Sequence, residues 1–164
     1  MIRPMEPGDA DGFVDCFNAI FLRDNPDVPA CDRQLVDWKF SGVAADGRRE
    51  AVVAELEGQG IIGAYASQPL RIWLDGEERR SAQVTDLMVI HELRRAGPRP
   101  GLFVHLGKAF NSLYCGKSSD KQIFHYGWPV PNWRAGQRFL GYENLRDWNF
   151  LGHEIHPDPS FERP

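Results

Sequence analysis

Residues 84–106, VTDLMVIHELRRAGPRPGLFVHL, constrain this chain more than any other stretch. Val84, Leu87, Val89 and Ile90 form an apolar run of the kind that suits a central strand. Three arginines, two glycines and two prolines follow between residues 94 and 101, and from there Leu102, Phe103 and Leu106 begin a helical pattern. The segment reads as strand, turn and helix, with the turn dense in backbone donors and positive charge. N–H groups at a helix start lack partners within the helix, and the helix dipole favours negative charge there. Arginines add charge-assisted hydrogen bonds. Such a turn suits a polyphosphate, although an Arg-rich turn with two glycines is also what a solvated connection looks like. The flanking chain has to decide between the two.

Composition excludes nucleic acid as the anion. With 164 residues and a net charge of -4, a single domain is expected, and it lacks the broad basic surface that nucleic-acid binding needs. Cys16, Cys31 and Cys115 are an odd count without framework spacing, so reduced thiols in a cytoplasm are expected rather than disulfides. The first residues, MIRPMEPGDADG, lack the apolar core of a signal peptide, and no run reaches the roughly 18 apolar residues of a membrane span.

At residues 89–99 the sequence resembles the GNAT superfamily of acyl-CoA-dependent N-acyltransferases, whose signature is a strand ending in V-x-P-x-x-R-x-x-G-x-G/A before a helix. Val89, Arg94 and Gly97 fall in place; His91 stands where the signature has proline, and Arg99 where it has a small residue. Alternatively, residues 98–101 are a four-residue insertion, and Gly101, Leu102 and Phe103 open the helix as Gly-Leu-Phe does in many relatives. A second stretch, residues 132–142 (NWRAGQRFLGY), resembles the later GNAT signature, in which an Asn opens a short helix ending in Leu-Gly-aromatic. Two signatures in the right order carry more weight than either alone. The resemblance covers most of residues 1–150.

The rest of the chain fits an α/β (α+β) reading, a GNAT-like mixed, mostly antiparallel central sheet flanked by helices. Residues 2–4 make a short first strand, and Gly8 or Asp9 can cap a helix in which Phe13, Phe17, Ile20 and Phe21 recur at helical spacing. Asp32 caps a second helix carrying Leu35, Val36, Trp38 and Phe40, for which core packing is the reading, with a substrate-pocket role as the alternative. Residues 51–57, a Gly58-Gln59-Gly60 turn, residues 61–74 and a turn at 75–77 read as an antiparallel meander leading into the central strand. Phe103, Leu106, Phe110 and Leu113 give the next helix one apolar stripe, and residues 122–128 the next strand. Residues 143–151 have strand character, but Pro157, Pro159 and Pro164 argue against a further one. An edge left uncovered there invites pairing with a second chain, hence a homodimer.

The resemblance implies a site and a reaction. Leu87, Met88 and Val89 would meet the pantetheine arm of acetyl-CoA, and Arg94, Arg95, Ala96, Gly97, Pro98, Arg99 and Gly101 its pyrophosphate. Asn132 would lie near the thiol. The acceptor is a primary amine on a small molecule or peptide, which attacks the thioester directly and needs a base and an acid. Asp86 is the candidate base, with a structural hydrogen bond where the strands part as its alternative reading. The tyrosine acid of relatives is matched by Phe139, which has no proton to give, so Tyr126, Tyr114 or solvent must serve. Tyr142 follows the glycine, where relatives use an aromatic for packing. Cys115 ends a helix with no His close in sequence, and His153, Glu154, His156 and Asp158 are metal-capable without established spacing, so no metal site is assigned. A domain that binds coenzyme A without catalysis, or one fed by an acyl carrier protein, are the rival functions.

Overall fold

The computed structural model describes residues 1–41, 49–94, 100–128 and 134–144 of the chain. In chain order the elements are β1 (Ile2–Pro4), α1 (Ala10–Asp24), α2 (Arg33–Ser41), β2 (Ala51–Leu56), β3 (Gly60–Leu74), β4 (Glu77–Val89), α3 (Leu102–Tyr114), β5 (Gln122–Tyr126) and α4 (Arg134–Leu140). The strands lie in the order β1-β2-β3-β4-β5, antiparallel throughout except that β5 runs parallel to β4. This is the mixed, mostly antiparallel sheet expected. Among the described residues no helix is long and apolar enough to cross a membrane.

Strand β2 shows why the sheet carries helices on both faces. Ala51 and Val53 pack with α1 and α2, whereas Val52 and Ala54 pack on the α3 side, and all four are at most 2% exposed. Alternate residues of a strand point to opposite faces, so a strand apolar at every position must be covered twice. On one side α1 supplies Ala10, Phe13, Cys16 and Ile20 at helical spacing, and Phe40 of α2 packs edge-on against Phe13 at 5.6 Å. On the other, α3 buries Val104, Leu106, Phe110 and Tyr114, while Leu113, expected in the stripe, is 41% exposed. Burying a Phe or Leu side chain contributes about 1.5–3 kcal/mol.

Local polar chemistry sets the helix starts. Leu35 N–H donates to Asp32 Oδ1 at 2.7 Å, the expected cap of α2. Asp9 precedes α1 but does not cap it: its carboxylate takes the Arg3 guanidinium at 2.6 and 2.8 Å and the Glu6 N–H at 2.7 Å. Arg3 thereby ties β1 to the entry of α1, and it holds the Asp9 carboxyl below the usual carboxylate range.

A polar clamp ties three strands to the start of β2 on the α3 face. Glu50, just before β2, accepts from Arg80 Nη2 at 2.6 Å and from the Gln122 side-chain amide, which also donates to Ser67 Oγ at 3.0 Å. Glu50, Ser67 and Gln122 are almost wholly buried. A buried carboxylate is tolerated when it is paired and hydrogen-bonded, and here one carboxylate joins β4 and β5, with the Gln122 amide carrying the link on to β3.

Beyond that level β4 and β5 separate. Their register runs Arg80↔Gln122, Ala82↔His125 and Gln83↔Tyr126, and β4 then continues to Val89 while β5 ends at Tyr126, two residues sooner than the sequence suggested. Gly127 makes the exit possible, since a Cβ there would sit 2.5 Å from Val84 Cγ2. Glu143 and Asn144 lie outside any strand, and the remainder of the strand expected at 143–151 falls outside the described residues, as does 153–158. The pairing with a second chain argued from that strand rests on the same residues.

Gly63 marks the other tight point of the sheet. A Cβ at this position would lie 2.8 Å from the Met88 carbonyl oxygen of the neighbouring strand, with Leu106 and Val89 side chains close behind. Backbone cannot step aside as a side-chain end does, so Gly63→Ala should lower stability by about 1–3 kcal/mol in chemical denaturation. A change below a few tenths of a kcal/mol would show that β3 and β4 slide freely there.

Candidate active site at the strand splay

Two residues of β4 face one of β3 just where β4 has left β5. The register passes from Ala66↔Thr85 to Ala64↔Met88, so Asp86 and Leu87 together stand opposite Tyr65. Asp86 has φ +51°, a left-handed conformation that a non-glycine residue adopts at some cost. Bulges of this kind bend a strand and re-aim a side chain. Here the side chain of Asp86 is only 8% exposed and meets Lys39 Nζ of α2 at 2.7 Å. Thr85 Oγ1 reaches the same carboxylate oxygen, Oδ1, at 3.2 Å, so both contacts leave Oδ2 to other partners.

At the far end of β4 the chain turns over residues 91–94 and docks on the end of α1. Arg94 Nε donates to the Val89 carbonyl at 3.0 Å, and its Nη2 lies 3.4 Å from Asp24 Oδ2. His91, in place of the signature proline, brings Nε2 to 3.1 Å from Asp24 Oδ1, a close approach without hydrogen-bond alignment. Arg94 is thus held beside the last strand residue with its guanidinium partly exposed. Gly101 precedes α3 in an extended conformation, and its carbonyl accepts from Val104 N–H at 3.0 Å. The first N–H groups of α3 lack partners within the helix. Arg95, Ala96, Gly97, Pro98, Arg99 and Asn132 lie outside the described residues.

The chain's tyrosines sort by environment. The Tyr114 hydroxyl donates to the Ala51 carbonyl at 3.1 Å deep on the α3 face, which removes it from the splay. Tyr65 and Tyr142 share a short hydroxyl–hydroxyl hydrogen bond in the same layer, and burial pushes the Tyr142 phenol up to about 12. Tyr126 ends β5 in register with Gln83, at the mouth of the splay and 36% exposed. Phe139 is exposed on α4 with the Arg138 guanidinium 5.2 Å from its ring centre.

No family model matches this sequence, and no curated protein does. Solved structures do. A glucosamine-6-phosphate N-acetyltransferase from Arabidopsis thaliana superposes with a TM-score of 0.60 at 14% identity, covering 96% of this chain and 98% of its own. An aminoglycoside acetyltransferase from an uncultured soil metagenomic sample, in complex with sisomicin, gives 0.60 at 15% identity and 95% of each chain. A predicted acetyltransferase of Clostridium acetobutylicum, with acetyl-CoA, gives 0.60 at 16% identity, covering 93% of this chain and 95% of its own. The fold is GNAT-like. At these identities the likeness is one of backbone.

Within this GNAT-like fold, Asp86, Leu87, Met88 and Val89 share the segment of β4 past the splay, with Arg94 at its end. Sequence reasoning missed Lys39, which reaches Asp86 across 47 positions. The one signal was a lysine between the aromatic residues Trp38 and Phe40, and the two aromatics diverge: Phe40 is 2% exposed and Trp38 70%. It also missed a polar layer beneath the splay. Cys115 Sγ lies 3.4 Å from His125 Nδ1, and the His125 ring stacks on Tyr142 at 5.1 Å. Burial pushes the Cys115 thiol up to about 11 and the His125 imidazole down, so the pair is neutral and the thiol a poor nucleophile.

That layer has a pH signature. The unfolded His125 takes a proton below about 6.5, while the folded one resists it. The unfolded state then binds more protons, so stability falls as pH drops through the unfolded value. In denaturant melts from pH 7.5 to 5, His125→Gln should lose stability less steeply than the natural chain. Parallel slopes would show that His125 is not a neutral buried group.

Proposed function

We propose that this protein is an N-acyltransferase that moves an acetyl or related acyl group from acetyl-CoA to the primary amine of a small molecule or peptide by direct attack. The observation that carries the reading is the parting of β4 from β5 after Gln83 and Tyr126, which leaves a strand edge without a partner strand among the described residues. Strand-edge N–H and C=O groups need partners, and an extended amide-bearing arm such as pantetheine supplies them in the manner of an added strand. Leu87, Met88 and Val89 would bind the arm, Arg94 with residues 95–99 and Gly101 the pyrophosphate, and Asn132 the region of the thiol. Fold neighbours with acetyltransferase names support the same class.

In this reading the acceptor ammonium gives a proton to Asp86, directly or through a water at Oδ2, and the amine attacks the thioester carbon. A carboxylate at the bulge is re-aimed, and here it meets Lys39 of α2. The departing thiolate is a good leaving group, and Tyr126 is the tyrosine at the splay mouth that can return its proton. The Lys39 contact and the Phe139 substitution favour a second reading, a domain that binds coenzyme A without turnover.

One set of measurements separates them. Acetyl-CoA should raise the melting temperature, and an amine and peptide library should release free thiol at a rate that rises with pH as the acceptor loses its proton. Asp86→Asn should cut the maximal rate by roughly 10²-fold or more, with acetyl-CoA affinity little changed. Tyr126→Phe should cut it by less than roughly 10²-fold, because a thiolate needs little acid help. Binding without thiol release from any acceptor, with either acetyl-CoA or an acyl carrier protein as donor, would establish the non-catalytic reading.

A further inference from the structure

The Lys39–Asp86 contact has a chemical meaning beyond charge pairing. Direct acyl transfer needs an amine whose proton can pass to the base, directly or through a water. Lys39 Nζ is such an amine: it comes from α2, it lies 2.7 Å from Asp86 Oδ1, and Asp86 is the single carboxylate among residues 84–89. Its side chain is 23% exposed and that of Asp86 8%, so the pair is shielded but not sealed. The chain thus holds an amine of its own against the candidate base.

We infer that Lys39 is a self-acylation site, taking the acyl group of a bound acyl-CoA thioester when no external amine is present. The inference rests on the acyltransferase reading and on Asp86 as its base. Lys39 Nζ passes a proton to Asp86, the neutral amine attacks the thioester carbon, and the C–N bond forms as the C–S bond breaks. Of the two protons the nitrogen sheds, one leaves on the coenzyme A thiol and the other passes through Asp86 to solvent. The product is an uncharged amide on Lys39 and free coenzyme A. Tethered attack of this kind avoids the entropy of bringing in a separate acceptor. The amide cannot pair ionically with Asp86, so the modified chain presents that carboxylate without its counter-ion.

Chemical acylation without catalysis gives the opposite site preference, and that makes the inference testable. Thioesters in solution acylate exposed, unpaired amines, and Lys108 and Lys117 are exposed whereas Lys39 is ion-paired and mostly covered. The full chain is incubated with acetyl-CoA and no acceptor, then followed by intact mass and peptide mapping. The expected result is one acetyl group, on Lys39, gained ahead of Lys108 and Lys117 at a rate independent of protein concentration. Asp86→Asn should slow labelling of Lys39 by roughly 10²-fold while leaving the exposed lysines unchanged. Lys39→Arg, which keeps a cation for Asp86 but offers no acylable amine, should lose the label and still show a thermal shift with coenzyme A. Labelling of exposed lysines first, or of all lysines alike, in a protein that binds acetyl-CoA and acylates an added amine overturns the inference and leaves the acyltransferase reading intact. No binding of acetyl-CoA at all overturns both.

Discussion

A strand that leaves its neighbour must find new partners for its backbone, and the architecture of this protein follows from how β4 is made to leave β5. The six residues of β4 after Gln83 continue along β3 but not along β5. In a buried sheet such an edge would be costly, because unpaired N–H and C=O groups lose the water they had in the unfolded chain. The separation is not accidental wear at the end of a sheet. Gly127 lets β5 turn away past Val84, the bulge at Asp86 and Leu87 bends β4, and the polar clamp of Glu50, Ser67, Arg80 and Gln122 fastens the strands just before they part.

The two faces of the sheet then divide the labour. The α3 face holds the neutral polar layer of Tyr65, Tyr142, His125 and Cys115, with aromatic contacts running on through Phe110 to Tyr114. These groups are satisfied by one another and lose ionisation to burial, so they fix the orientation of α3 and of the segment after α4 without supplying a charge. On the α1 and α2 face a charged pair, Lys39 with Asp86, stands at the bulge. A carboxylate in a left-handed conformation is held there by an ammonium from a different element. Tertiary packing therefore sustains what local preference would not.

Much of the fold was legible in the chain because it is written in short-range patterns. The meander is bounded by glycine turns, α1 by aromatic residues at helical spacing, and α2 by Asp32 one residue before its start. Where the reading slipped, a longer-range interaction had overridden a local one. Asp9 looked like a cap and instead serves Arg3 and Glu6. Leu113 fitted an apolar stripe, yet α3 is rotated so that Gly107 and Tyr114 face inward, with Gly107 close enough to Leu140 that a Cβ would lie 2.5 Å from its Cδ1. Cys115 had no histidine nearby in sequence until β5 folded His125 back against it.

By itself the sequence determined which elements form, because caps, glycine turns and apolar periodicity act over a few residues and need no knowledge of the rest of the chain. It also determined the turn chemistry after β4, where arginine and glycine are concentrated before a helix. Only the tertiary structure decided what Asp86 is. The bulge comes from a register between β3 and β4, the counter-ion comes from a helix 47 positions earlier, and the opening comes from β5 stopping at Tyr126. Register, ion pairing and strand divergence are relations between segments far apart in the chain, and hydrophobic periodicity carries no information about which distant side chain will meet a given carboxylate.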